Sequence, residues 1–230
     1  MPPAVESLLN GGLRRIINRD LQSNTYLLSA PGQIEAGSDC VVVDPGMDRE
    51  RIAQAVDGCG WVPRAVFCTH GHFDHMGCAS WLQQQYQVPV YLRAADLKLA
   101  KLSNFMMAAF KLSARVTLPE FTLLDVDDAA VEAAGRRYVF HALPGHTPGS
   151  AGILVDGLLF SGDSLYARHV ALSRLPGEDH DRLRASLIEL FSWMDPRVLV
   201  LPGHGGSATL ADIRRDNHEL QAFMNAALTV

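Results

Sequence analysis

Thr69-His70-Gly71-His72-Phe73-Asp74-His75-Met76-Gly77 decides how this chain folds. The apolar run Ala65-Val66-Phe67-Cys68 leads into it, and a helical pattern follows. That succession predicts a strand, a loop crowded with donors, and the start of a helix. Loops held at strand ends are where a rigid scaffold presents chemistry. Three imidazoles and a carboxylate fall between positions 70 and 75, a density that packing alone does not call for. Their mixture of nitrogen and oxygen suits zinc, and also iron or manganese. His70 and His72 alternate in an extended segment and so can point the same way. Asp74 and His75 sit where the chain turns into the helix and can face a second metal.

Four donors are too few for two metals of defined geometry, so further ligands are expected at distant strand ends. Three candidates are present: His146 in Leu143-Pro144-Gly145-His146-Thr147-Pro148-Gly149-Ser150, Asp163 in Phe160-Ser161-Gly162-Asp163-Ser164, and His204 in Leu201-Pro202-Gly203-His204-Gly205. Each follows an apolar run and adjoins glycine, which allows close backbone approach. Alone, a histidine in a Gly/Pro loop is an ordinary surface residue, and a Gly-Asp pair is ordinary turn chemistry. Beside a group of four donors, three more at successive strand ends define a metal site.

Further out, short apolar runs alternate with helical patterns, which predicts a layered α/β fold. Strands are expected over 13–17, 24–29, 40–43, 64–69, 88–92, 122–126, 138–142, 150–155, 158–161 and 198–201. Helices are expected over 48–56, 76–86, 95–112, 180–194 and 210–228. The 230 residues suit one domain, 1–230, and 48% apolar content is enough to bury a large core. A net charge of -5 with no long basic block excludes the usual signature of a nucleic-acid partner. No apolar run approaches the roughly 18 residues of a membrane span. The opening residues lack a secretory pattern. Cys40, Cys59, Cys68 and Cys78 form no Cys-x-x-Cys pair and read as reduced thiols, so a cytoplasmic location is expected.

Taken in order, His-x-His-x-Asp-His at 70–75, Gly-His-Thr-Pro-Gly-Ser at 145–150, Gly-Asp at 162–163 and Pro-Gly-His-Gly at 202–205 resemble the metallo-β-lactamase superfamily. Asp44-Pro45-Gly46 resembles the early turn of that family. The resemblance runs from about Asn24 to about Asn217. It implies a four-layer αββα sandwich with the site at one edge of two sheets. It also implies two divalent metal ions, zinc first, with iron and manganese as alternatives. One would be held by His70, His72 and His146 and the other by Asp74, His75 and His204, with Asp163 bridging them. Asp74 would also orient the nucleophile and move its proton.

Within the superfamily, His72 stands where the flavodiiron branch carries Glu, which argues against that branch. The true β-lactamases lack a bridging aspartate at the position of Asp163. Gly162-Asp163-Ser164-Leu165-Tyr166, then Leu175-Pro176-Gly177-Glu178-Asp179, and Ile213-Arg214-Arg215-Asp216-Asn217 resemble the glyoxalase II-like hydrolases. That resemblance implies a metal-bound hydroxide attacking a thioester or ester of a small acyl substrate. No clear counterpart is expected to the helical domain that carries glutathione-binding basic residues in the group's founding enzyme. A mononuclear-iron persulfide dioxygenase and a lactone hydrolase share the ligand pattern and stand as alternatives. The 96–112 stretch has an apolar face that fits core, lid or homodimer surface. As a lid it would bring Phe105 and Met107 to the substrate. His169 and Arg174 follow the bridging aspartate and are further substrate candidates.

Overall fold

Residues 11–173 and 175–226 are described in the computed structural model. Alternation along its strands sorts apolar side chains into layers. Tyr26, Leu28, Val41, Val43, Ala65 and Phe67 point one way, into a core shared with Tyr138, Phe140, Ile153, Leu158 and Phe160. Leu27, Val42 and Val66 point the other way, against Ile52, Val56 and Leu82. In the second sheet Leu159 and Val200 turn outward onto Leu183, Leu187, Leu190, Ile213 and Leu220. Strands buried on both faces read as continuous apolar runs. The result is helix, sheet, sheet, helix, the αββα sandwich expected from the sequence.

The first sheet runs in the order β1 (Leu13–Ile17), β2 (Asn24–Ser29), β3 (Asp39–Val43), β4 (Val62–Phe67), β5 (Val90–Arg93) and β6 (Phe121–Leu124). Its first two pairings are antiparallel and its last three parallel. The second sheet is ordered β12 (Ala208–Thr209), β11 (Leu199–Pro202), β10 (Leu158–Gly162), β9 (Ala151–Val155), β8 (Arg136–Ala142) and β7 (Ala129–Ala133). There only β10 and β11 run parallel. At the centre of the sandwich Phe67 packs edge-on to Tyr91, Tyr138 and Phe140, at centroid distances of 5.4, 4.8 and 5.2 Å. Tyr26 meets Phe160 across the sheets at 5.3 Å.

The helices cover the outer faces: α1 (Arg49–Cys59), α2 (Phe73–Met76), α3 (Ala79–Tyr86), α4 (Leu97–Ala100), α5 (Ser103–Ala109), α6 (His180–Trp193), α7 (Leu210–Asp216) and α8 (His218–Asn225). Side-chain caps fix several of their starts. Asp48 accepts from Arg51 N at 3.2 Å and Asp179 from Arg182 N at 3.0 Å. Among the described residues no helix is long and apolar enough to cross a membrane.

Two expected helices divide, and the strand β7 was not expected. The single helix over 95–112 is a 3₁₀ turn at Ala94–Asp96 followed by α4 and α5. The Asp96 carboxylate bonds Gly71 N and Gly149 N of other loops, and the two helices part at Lys101 and Leu102. The helix over 210–228 divides at Asn217, whose side chain caps α8 by accepting from Leu220 N at 3.0 Å; residues 227–230 lie outside the described residues. β7 went unread because Ala129-Ala130-Val131-Glu132-Ala133 has little β-branched or aromatic content. It pairs with β8 through Ala134 and Gly135, both at positive φ, 45° and 69°, as a tight hairpin turn needs.

Candidate metal centre

All seven expected donors come from the ends of strands, and the folding of the two sheets brings them to one rim. β4 ends at Phe67 and leads into His70 and His72; α2 then carries Asp74 and His75. The turn after β8 presents His146, the end of β10 presents Asp163, and the end of β11 presents His204. Backbone bonds across the rim hold these loops together: Ala151 N to Thr69 O at 2.9 Å, Gly203 N to Gly162 O at 2.8 Å, and Asn24 N to Gly203 O at 2.6 Å. Gly203 lies so close to the Asp163 carboxylate and the His75 ring that any side chain there would collide with both.

The donors fall into two groups. His72 Nδ1 stands 3.1 Å from His70 Nε2 and 3.0 Å from His146 Nε2. Asp74 Oδ2 stands 3.5 Å from His75 Nε2 and 3.4 Å from His204 Nε2. Asp163 lies between them. Its Oδ1 is 3.4 Å from His75 Nε2, and its Oδ2 is 3.5 Å from His204 Nε2 and 3.7 Å from His146 Nε2. Ligands about 2.1 Å from a zinc ion at tetrahedral angles stand roughly 3.4 Å apart, so both groups have the spacing of a cation cage.

Hydrogen bonding agrees with that. Thr69 Oγ1 donates to Asp44 Oδ2 at 2.7 Å and therefore accepts from His70 Nδ1 at 3.0 Å, which leaves His70 Nε2 as a bare lone pair. His75 Nδ1 donates to Asp44 Oδ2 at 3.1 Å and likewise turns its Nε2 inward. Buried His75 Nε2 and Asp163 Oδ1 have no hydrogen-bond partner. Buried polar atoms without partners are costly, and a cation would satisfy both. The residues present therefore fit two metal ions. Asp44, His70 and His75 also bring donor atoms within 4.8 Å. However, Asp44 already accepts from Thr69 N, Thr69 Oγ1 and His75 Nδ1, so it orients ligands instead of binding.

The two groups differ electrostatically. Burial, then the His146 charge, lowers His72 to about 4, and burial holds His70 well below its usual value. Burial also opposes charge on His75 and His204, but Asp163 and Asp74 outweigh it. They raise His75 well above the usual imidazole value and His204 to about 9. Burial would raise the carboxyls of Asp74 and Asp163, yet His75 and His204 keep both below the ordinary range.

Beside the donors is a cavity of about 210 Å³. Leu21, Phe73, Met106, Phe110 and Leu175 form its apolar side, and His72, Asp74, His146, Asp163 and His204 the polar side. A larger cavity of about 520 Å³, against Arg93, His141 and Trp193, holds none of the donors. The expected substrate residues Phe105 and Met107 do not line the 210 Å³ cavity. Phe105 is 73% exposed and Met107 is buried in the core, because α5 turns Met106 and, one turn on, Phe110 toward the donors. His169 is exposed, stacks on Tyr166 at 4.5 Å and lines a narrow cleft with Asp163, outside the 210 Å³ cavity. Arg174 lies outside the described residues.

Sequence reading missed Asp44 as an orienting group, although its Asp-Pro-Gly turn was noticed. It also missed Ser23, whose hydroxyl donates to Asp74 O at 2.7 Å, and Asp96. A buried carboxylate at the end of an apolar run was the available signal for Asp44. Ser23 and Asp96 had none.

The sequence model of the metallo-β-lactamase superfamily matches residues 18–204. The chain belongs to that superfamily of metallo-hydrolases, whose fold binds divalent metals. Bacillus subtilis YqgX, a probable metallo-hydrolase, is 29% identical over 219 residues, covering 91% of this chain and 98% of that protein. The hydroxyacylglutathione hydrolase GloC of Haemophilus influenzae is 24% identical over 188 residues, covering 78% and 86%. The crystal structure of TTHA1623 in a di-iron-bound form superposes with a TM-score of 0.76 at 31% identity, covering 89% and 98%.

Proposed function

We propose that this protein is a glyoxalase II-like hydrolase that cleaves a thioester or ester of a small acyl substrate with two divalent metal ions. One observation carries the proposal: Asp163 stands within 3.7 Å of donors from both groups, beside an apolar cavity. His70, His72 and His146 would hold one ion, Asp74, His75 and His204 the other, and Asp163 would touch both. Zinc suits these donors, and likeness to a di-iron protein adds iron. Bound divalent ions supply hydroxide at neutral pH and polarise a carbonyl oxygen.

The chain's own residues provide the rest. Asp74, held anionic by His75 and His204, can orient the attacking water and take up its proton. Ser23 fixes the Asp74 backbone, and Asp44 fixes the His75 ring. Leu21, Met106 and Phe110 accept an apolar acyl group and exclude water from it. The likeness to GloC supports a thioester as the scissile group.

The test is metal analysis of the purified protein followed by a panel of thioesters, lactones and phosphodiesters. The expected result is about two metal ions per chain and thioester cleavage that stops on chelation and returns with zinc or iron. Turnover of phosphodiesters alone, or thioester cleavage untouched by chelation, would overturn the proposal.

A further inference from the structure

Asp96 is fully buried and lies outside both donor groups. Its Oδ2 accepts from Gly71 N at 2.8 Å and from Thr147 Oγ1 at 2.7 Å, and its Oδ1 accepts from Gly149 N at 2.6 Å. Gly71 lies between His70 and His72, while Thr147 and Gly149 follow His146. One carboxylate thus grips both loops of the three-histidine group, and its hydrogen bonds reach none of Asp74, His75, Asp163 or His204. Three donors offset the cost of burying its charge, and such charge-assisted bonds are short and directional.

Contact around Asp96 is close on every side. A methyl group on Gly149 would stand 2.7 Å from Asp96 Cγ, and one on Gly71 would stand 2.9 Å from Asp96 O and 3.2 Å from Ala100 N. Asp96 also opens the segment that continues through α4 and α5 to Met106 and Phe110 of the cavity. The two histidine loops and the cavity wall therefore meet at this side chain.

We propose that Asp96 is a positioning residue, which sets the geometry of the His70, His72 and His146 donors and ties it to the segment lining the substrate cavity. The inference rests on the metal-centre reading above. In Asp96→Asn one acceptor oxygen becomes an NH₂ group, which cannot accept, so either the Gly149 N–H or the Gly71 N–H loses its partner and the grip on one loop is weakened.

The experiment measures zinc affinity by chelator competition in two single-site backgrounds. His204→Ala leaves the three-histidine position to report, and His146→Ala leaves the carboxylate-rich position. Loss of an outer hydrogen bond to a metal-binding loop costs about 10- to 100-fold in affinity. Adding Asp96→Asn is expected to weaken zinc binding by about that factor in the His204→Ala background and by less than about threefold in the His146→Ala background. The visible spectrum of the cobalt-substituted protein should change in the first background only.

Equal shifts in both backgrounds, or none in either, would overturn the proposal. A fall in the melting temperature of the metal-free protein with unchanged zinc affinity would do the same, because it would make Asp96 a packing residue. Should Asp96→Asn fail to fold, Thr147→Val removes one of the three bonds at constant shape and is expected to show the same selectivity with a shift of about three- to tenfold. Zinc binding in neither background would overturn the metal-centre reading first, and this one with it.

Discussion

The two halves of the centre share Asp163, yet they are built on opposite principles. In the three-histidine half, burial and neighbouring imidazoles hold His70 and His72 neutral, and a threonine hydroxyl orients the first ring. In the other half, Asp74 and Asp163 draw protons onto His75 and His204, and a third carboxylate, Asp44, orients the ring of His75. A cation entering the first half meets open lone pairs. A cation entering the second must displace protons, but gains negative charge in return. The contrast shows how one rim of a sandwich can prepare two unlike sites with the same kind of side chain.

The largest effect should come from removing what the halves share. Asp163→Ala is expected to lower bound metal and thioesterase turnover together, turnover by about a thousandfold or more. Elemental analysis beside a rate measurement checks it, and a variant that kept two metals and full activity would break the comparison.

Next in size is the proton demand. His75 and His204 are raised, the latter to about 9, so both carry protons at pH 7 before a metal binds. Metal affinity of that half should climb with pH until about 9 and fall as pH drops. Burial leaves His72, at about 4, and His70 already bare at neutral pH, so protons should not compete with the metal for either of these two ligands near pH 7. Calorimetry of the His146→Ala and His204→Ala variants in buffers of different ionisation enthalpy is expected to show about two protons released in the former and fewer in the latter. Equal release would erase the distinction.

The smallest effect concerns the cavity, which both halves face. Phe110→Ala should lower kcat/KM about tenfold for a six-carbon acyl thioester and leave acetyl thioesters nearly unchanged. Phe110 is half exposed, so stability should change little. An equal loss on both substrates would place the acyl group elsewhere.

The layers and the seven donors were legible because their signals are local. Alternating apolar residues mark doubly buried strands, and His or Asp beside Gly at a strand's end marks a presented side chain. Asp96 was illegible for the opposite reason: it sits inside an apolar helical pattern, and its partners lie at Gly71, Thr147 and Gly149. The choice of Met106 and Phe110 over Phe105 and Met107 depended on the phase of a short helix that could not be set before the break at Lys101 and Leu102 was known. Leu21 reaches the cavity from a turn at φ 56°, a conformation its sequence does not announce.

The bridge between Ser23 and His204 has a consequence for biosynthesis. A nascent chain exposes His70, His72, Asp74 and His75 long before His146, Asp163 and His204 have been translated, so neither cage can close until those later residues are made. The last donor is seated only when the strand begun at Asn24 has bonded the Gly203 backbone. Loading of the carboxylate-rich position is thereby deferred until β11 has been made and paired, and a fragment ending before β11 would carry Asp74 and His75 without the partner that completes their cage.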